Sequence, residues 1–229
     1  MKAAAVVLFG GTGSRLGSDC PKQFLLVRGQ TVMEWTLKAL ADSQLYNEFI
    51  LVSSEAHMEE TSTIATRILH NYKVVPGGKE RANSVLCGLQ AVCDSQIVAI
   101  HDGARPNISI ALQKRLMEAI LKDNAQQGVI PGIPQTDTLK IIEGNRVVGT
   151  QARQNLVRVQ TPQFFLLQGI LNAYESGLKR SFMGTDCSSY AEEYGLEVQW
   201  IEGESSNFKV TYEEDLSTLK QALDQAGRQ

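Results

Sequence analysis

Short apolar runs alternate along this chain with longer stretches in which apolar residues return every three or four positions. The runs Val6-Val7-Leu8, Phe49-Ile50-Leu51-Val52, Tyr72-Lys73-Val74-Val75, Ile97-Val98-Ala99-Ile100 and Val129-Ile130 predict strands of a largely buried sheet. Between them, residues 32–41, 58–69, 82–92 and 109–122 carry the amphipathic period of helices. Strand–helix alternation calls for right-handed crossovers, so the expected class is α/β: a Rossmann-like, mostly parallel sheet flanked by helices. Ligands of such sheets sit beyond the carboxyl ends of the strands, which directs attention to the loops after each run.

One segment breaks the alternation. Residues 134–159 read as two short strands around Glu143-Gly144-Asn145, with Thr136, Thr138 and Lys140 on one face of the first and Arg146, Val147 and Val148 opening the return. A lone hairpin is marginal in water, so this protruding arm is expected to pack on something else, with a partner subunit the natural candidate. The chain then predicts a helix over 166–176, a strand over 197–201 and a last helix from Tyr212 to about residue 226. No repeat or linker interrupts it, so residues 1–229 are expected to form one domain.

Composition narrows the partners. The formal net charge is −3, which supplies no global basic field and argues against nucleic acid. Apolar runs such as 3–9 fall far short of a bilayer span, so no membrane is expected. Met1-Lys2 leads directly into a strand, leaving no room for a signal peptide. Cys20, Cys87, Cys93 and Cys187 show neither C-x-x-C spacing nor companion histidines, which suits reduced thiols in the cytoplasm.

The strongest chemical signal is Leu8-Phe9-Gly10-Gly11-Thr12-Gly13-Ser14-Arg15-Leu16, closed by Cys20-Pro21-Lys22-Gln23. Three glycines in four positions let several N–H groups converge on one ligand, and Arg15 and Lys22 add two cations to the same space. At the end of a strand this describes a polyphosphate site; the plainer alternative is a glycine-rich turn. Two familiar phosphate loops do not fit. The dinucleotide fingerprint fails at Leu16, and the Gly-Lys of Gly78-Lys79-Glu80 lacks the Ser or Thr of a P-loop.

A second constellation, His101-Asp102-Gly103-Ala104-Arg105-Pro106, follows the 97–100 run. Asp102 suits a divalent cation or a ribose hydroxyl and Arg105 a phosphate, unless the two simply tie the turn together. His101 has no companion histidine, so it reads as a packed strand-end residue and zinc is rejected. Residues 77–85, Gly-Gly-Lys-Glu-Arg-Ala-Asn-Ser-Val, open a helix, where recognition of a base or sugar and simple capping remain equally open. By composition the clusters Thr161-Pro162-Gln163-Phe164-Phe165 and Asn207-Phe208-Lys209-Val210-Thr211 read as structural.

G-G-x-G-x-R with P-K-Q, then G-G-x-E-R, H-D-x-A-R-P, D-T-x-K, Q-T-P-Q and N-x-K-V-T occur in this order from Ala3 to about Leu219. Together they resemble the 2-C-methyl-D-erythritol 4-phosphate cytidylyltransferase family of the non-mevalonate isoprenoid pathway. The resemblance implies transfer of CMP from CTP to a polyol phosphate with Mg²⁺ assistance, in a cytoplasmic homodimer joined through the hairpin arm. It further implies that Gly10, Gly11, Thr12 and Gly13 wrap the CTP phosphates, while Arg15 and Lys22 stabilise charge at the α-phosphorus. Phe9, Gly78, Arg81 and Ser84 would border the cytosine. Asp102, also the implied metal ligand, and Arg105 would lie between nucleotide and acceptor. Thr161 and Lys209 would complete the acceptor pocket, and Thr138 and Arg153 would reach the neighbouring subunit's site.

The chain departs from common family residues at Phe9, Lys79, Ser206 and Cys187, the last in Thr185-Asp186-Cys187. Two other readings stand beside the main one: a ribitol 5-phosphate cytidylyltransferase, which shares the glycine loop and Q-T-P-Q, and a non-catalytic nucleotide sensor on the same fold. D-T-L-K and H-D-G-A-R-P favour the isoprenoid acceptor, and the presence of Arg15 and Lys22 favours catalysis.

Overall fold

The run Ala3–Leu8 forms β1, whose first five residues are buried, as expected for a strand covered on both faces. A computed structural model describes residues 2–10, 20–122, 127–225 and 227. After a single 3₁₀ turn at Lys22–Phe24, β2 (Leu26–Val27) and β3 (Gln30–Thr31) form a small hairpin that leads into α1 (Val32–Ala41). Thr31 and Glu34 form a capping box at the start of α1, each side chain satisfying the other's backbone N–H. Next come β4 (Glu48–Ser53), α2 (Met58–Thr66), β5 (Tyr72–Pro76), α3 (Arg81–Gln90), β6 (Ile97–Asp102), α4 (Ile110–Lys122) and β7 (Gly128–Pro134). The arm strands are β8 (Leu139–Glu143) and β9 (Arg146–Gln151). The chain closes with β10 (Val157–Val159), β11 (Gln163–Leu166), α5 (Leu167–Lys179), α6 (Cys187–Tyr194), β12 (Val198–Glu202) and α7 (Glu214–Gln225).

The described residues build an eight-stranded central sheet. Strands β5, β4, β1 and β6 run parallel side by side, and β12 runs parallel to β7. Strand β11 lies antiparallel between β6 and β7, and β10 continues it along the same edge of β7. The α/β class and the mostly parallel sheet are therefore as expected, with two strands reversed.

Alternate residues of the strands feed two cores. Ala3, Ala5, Val7 and Leu51 pack with Met33 and Leu37 of α1 and Leu112 and Leu116 of α4. On the other face, Val6, Ile50, Val98 and Ile100 meet Val85 and Leu89 of α3 and Ile170 and Tyr174 of α5. A smaller cluster of Val27, Val32, Trp35, Val210 and Leu219 seats α7 over the β2–β3 hairpin.

The arm is shorter than the sequence suggests. Residues 157–159 belong to the central sheet, pairing with Gly132–Pro134, because the returning chain satisfies the open edge of β7. Only Lys140 of the three polar residues expected on the first arm strand lies within β8; Thr136 and Thr138 precede it. Gly144 takes φ +58, the left-handed conformation that the tight turn between β8 and β9 requires. Strand β11 and helix α6 were not legible as elements. The first is a four-residue piece with three apolar residues, directly after a proline, and the second carries only a short apolar face. Among the described residues no helix is long and apolar enough to cross a membrane.

Candidate active site

Because β1, β5 and β6 run parallel, their carboxyl ends deliver three loops to one edge of the sheet. These loops, with Lys22, Gln23 and Lys209, surround a cleft of about 340 Å³. The walls fit closely. The Phe9 ring, 2% exposed, lies so near Gly103 that a Cβ there would stand 2.3 Å from it. Gln23 Nε2 donates to the Phe9 carbonyl at 2.9 Å, pinning the start of the glycine-rich loop. Lys22 Nζ donates to Val210 O at 3.3 Å, and Val210 N–H donates to Ala104 O at 2.8 Å. The Lys22 turn, the Lys209 segment and the loop after β6 are thus tied into one rim.

Asp102 is the centre of the charges. Arg81 Nη2 donates to its Oδ1 at 3.2 Å and Lys209 Nζ to its Oδ2 at 2.8 Å, while Arg105 Nε stands 3.9 Å from Oδ2. Burial alone would raise this carboxyl, but Arg81, Lys209 and Arg105 outweigh it and hold Asp102 well below the ordinary carboxylate range. Among the described residues, four cations along the cleft (Lys22, Lys79, Arg81 and Lys209) face two carboxylates (Glu80 and Asp102), although the whole chain carries −3. The local surplus is positive and suits an anionic ligand.

Behind Asp102 runs a directed hydrogen-bond path. The Asp102 N–H donates to Thr161 Oγ1 at 3.0 Å, and Thr161 Oγ1 lies 3.2 Å from His101 Nδ1. His101 Nε2 lies 3.1 Å from the Arg105 carbonyl, which only accepts; Nε2 therefore bears the proton and Nδ1 accepts from the Thr161 hydroxyl. Burial pulls the His101 pKa down to about 4, so the ring is neutral. Arg105 Nη1 donates to Asn207 O at 2.8 Å, leaving its buried Nε without a hydrogen-bond partner among the described residues.

The residues singled out from the sequence separate into four groups. Phe9, Gly10, Lys22, Gly78, Arg81, Ser84, Asp102 and Lys209 line the one cleft. Arg105 and Thr161 stand behind Asp102 and do not line it. Thr138 and Arg153 are exposed on the arm, away from the cleft, where the Arg153 guanidinium donates to Thr136 O. Gly11, Thr12, Gly13 and Arg15 lie outside the described residues. Ser84 Oγ accepts from the Gly78 N–H at 3.1 Å and contacts Glu80 O at 3.1 Å, shaping the turn that opens α3.

Among the buried amides with no role assigned from sequence are Gln23 in the rim, Asn207 beneath Arg105, and Gln163 at 0% exposure. Their signal was present, since each is a polar residue flanked by apolar or motif positions. Among the described residues no group of three potential metal ligands occurs. Of the two described carboxylates in the cleft, Asp102 is the less exposed, and one such donor fits an ion held mainly by phosphate oxygens and water, the habit of Mg²⁺.

Residues 3–225 match the family described as 2-C-methyl-D-erythritol 4-phosphate cytidylyltransferase (IspD). A curated relative of that name from Geotalea uraniireducens is 36% identical over 222 residues, covering 94% of each chain. Another, from Clostridium novyi, is 37% identical over 223 residues, again covering 94% of each. The crystal structure of 4-diphosphocytidyl-2C-methyl-D-erythritol synthase from Anaerococcus prevotii matches with a TM-score of 0.84 at 30% identity, over 97% of this chain and 98% of that one. The Francisella tularensis 2-C-methyl-D-erythritol 4-phosphate cytidylyltransferase matches with a TM-score of 0.85 at 26% identity, over 97% and 100%.

Proposed function

Since this chain belongs to the 2-C-methyl-D-erythritol 4-phosphate cytidylyltransferase family, we propose that the cleft around Asp102 is the site of that family's reaction. The protein transfers CMP from CTP to 2-C-methyl-D-erythritol 4-phosphate, giving 4-diphosphocytidyl-2-C-methyl-D-erythritol and pyrophosphate. The observation that carries the site assignment is the cationic surplus converging on one part-buried carboxylate at the carboxyl edge of the sheet.

An oxygen of the acceptor phosphate attacks the α-phosphorus of CTP in line, and the bond to the pyrophosphate oxygen breaks. The acceptor phosphate is already ionised near neutral pH, so no base is needed; positioning and charge neutralisation do the catalysis. In this reading Gly10, Gly11, Thr12 and Gly13 wrap the triphosphate. Arg15 and Lys22 meet the charge that grows at the α-phosphorus. Phe9, Gly78, Arg81 and Ser84 border the cytosine, while Asp102, with Lys209, separates nucleotide from acceptor. Arg105 and Thr161 support the acceptor side from behind Asp102. Asp102 is the residue that would hold Mg²⁺, which when bound supplies neutralisation of the triphosphate charge.

The arm completes the site in a second copy of the chain. Ile142 and Val147 stand 65% and 63% exposed on a hairpin whose neighbours are also open, an arrangement that favours a covering partner. In the homodimer Arg153 and Thr138 grip the acceptor phosphate of the opposite subunit, with Arg153 able to bind bidentately. One continuous central sheet supports treating residues 1–229 as a single nucleotidyltransferase domain. Among the described residues none of the four cysteines is joined in a disulfide, which suits the cytoplasm.

The test is pyrophosphate release from CTP with either 2-C-methyl-D-erythritol 4-phosphate or ribitol 5-phosphate as acceptor. Release with the first and little with the second is expected. Equal release would overturn the acceptor assignment, and comparable turnover with ATP or GTP would overturn the pyrimidine pocket.

A further inference from the structure

Gln163 is a polar side chain buried in the middle of the sheet, opposite Ile100 of β6 and outside the cleft. Leaving such a group unpaired would cost free energy, and here every polar atom of the amide is used. Its Oε1 accepts the N–H groups of Cys187 and Ser188 at 3.1 and 3.2 Å, and its Nε2 donates to Asp186 Oδ2 at 2.7 Å. Asp186 in turn caps α6, its Oδ1 accepting the Ser189 N–H at 3.0 Å. The first residue of α6 is therefore held to β11 at a fixed register.

That first residue is Cys187, at 0% exposure and packed in the core with Tyr174 and Tyr190. Its sulfur faces Arg81, whose Nη1 donates to Sγ at 3.6 Å while Nη2 donates to Asp102 Oδ1 at 3.2 Å. One guanidinium is thus gripped on two sides, by a sulfur on α6 and by a carboxylate on β6. Its side chain still retains 36% exposure toward the cleft. Two grips fix the plane of a guanidinium, whereas the Asp102 contact alone leaves it free to turn about that hydrogen bond. Burial pushes the Cys187 thiol up, so the sulfur is a neutral acceptor and adds no second anion to compete with the ligand's phosphates.

We infer that Cys187 is a positioning residue of the nucleotide cleft: presented by the helix end that Gln163 holds, its sulfur orients Arg81 for CTP. The inference rests on the reading of the cleft as the CTP site. It accounts for two features that the reaction leaves unused, the buried Gln163 latch and a cysteine directly after the Asp186 cap.

The experiment is a double-mutant cycle in the full-length enzyme, with KM for CTP, kcat and CTP binding by calorimetry read together. Cys187→Ala should raise KM for CTP roughly 3- to 10-fold and weaken calorimetric binding in step, with kcat within about twofold. Cys187→Ser, which keeps an acceptor, should stay within about twofold of the parent on all three. In an Arg81→Met background Cys187→Ala should add no further loss. If Cys187→Ala does not fold, the comparison of Cys187→Ser with the similar-sized Cys187→Val replaces it, and only the latter should weaken CTP. Unchanged CTP affinity in the variant without an acceptor would overturn the inference. So would a loss that persists in the Arg81→Met background, or an equal loss with Cys187→Ser, since both mark a packing defect. Failure of the parent enzyme to bind CTP would instead overturn the assignment of the cleft.

Discussion

At the carboxyl edge of the sheet Asp102 receives hydrogen bonds from Arg81 and Lys209, with Thr161, His101 and Asn207 packed behind it. On the arm, β8 and β9 pair through a register shift between Ile141 and Ile142, and Ile141, Ile142, Val147 and Val148 stand 48% to 65% exposed. The two regions differ in where their partners come from. Residues of the cleft arrive from β1, the 3₁₀ turn at Lys22–Phe24, the loop after β5, α3, β6 and the segment before α7, so folding of one chain assembles it. The arm strands pair with each other in a two-stranded sheet and leave their apolar side chains exposed. The first region is assembled within one chain; the second carries the exposed surface that the proposed homodimer would cover.

The largest effect should come from the cleft. Lys22→Ala is expected to lower kcat roughly 10²–10³-fold with a smaller rise in KM for CTP, the scale of losing one preorganised donor. A near-normal kcat in steady-state assays would reduce Lys22 to a structural tie to Val210.

Mixing the two regions sharpens the contrast. Arg153→Ala subunits and Lys22→Ala subunits, each nearly inactive alone, should recover toward half of the parent activity per mixed dimer, because one centre regains both residues. No recovery, with subunit exchange verified by mass spectrometry, would return Arg153 to a role within its own chain.

The pH effect above about pH 4 should come from His101, in the scaffold behind the cleft. His101 is a base whose pKa falls from 6.5 unfolded to about 4 folded, so the unfolded chain binds the proton first. Its contribution is full above about pH 6.5 and is lost as the pH falls toward about 4, up to roughly 3 kcal/mol. Asp102 acts in the same direction at lower pH, its loss beginning only below the unfolded value of 3.8. Urea unfolding at several pH values should show a shallower slope for His101→Asn across the His101 window; an unchanged slope would mean that His101 does not titrate there.

The smallest effect on one chain should come from the arm. Val147→Ser, at an exposed site, should change monomer stability by no more than about 0.5 kcal/mol. By contrast Leu37→Ala in the core should cost about 2–5 kcal/mol. Sedimentation should nevertheless show the arm variant dissociating at higher protein concentration than the parent. A dimer of unchanged strength would place the interface elsewhere.

What the sequence by itself determined was local. The helix over Val32–Ala41, the five strand runs, the helix opened by the second glycine turn and the chemistry of Gly10, Lys22 and Asp102 follow from periodicity and motif chemistry acting over a few positions, while Phe9, Gly78, Arg81, Ser84 and Lys209 come from the family resemblance. Tertiary structure decided what joins residues distant in the chain. It slid β11 in reverse between β6 and β7, drew residues 157–159 out of the arm, and set Cys187 against Arg81. It also put Thr161 and Arg105 behind Asp102 rather than in the cleft wall. The physical reason is range. A hydrophobic period or a glycine turn is written in neighbouring side chains. Which strand fills an open edge, and which acceptor meets a guanidinium, depends on how the two faces of the sheet are packed at once.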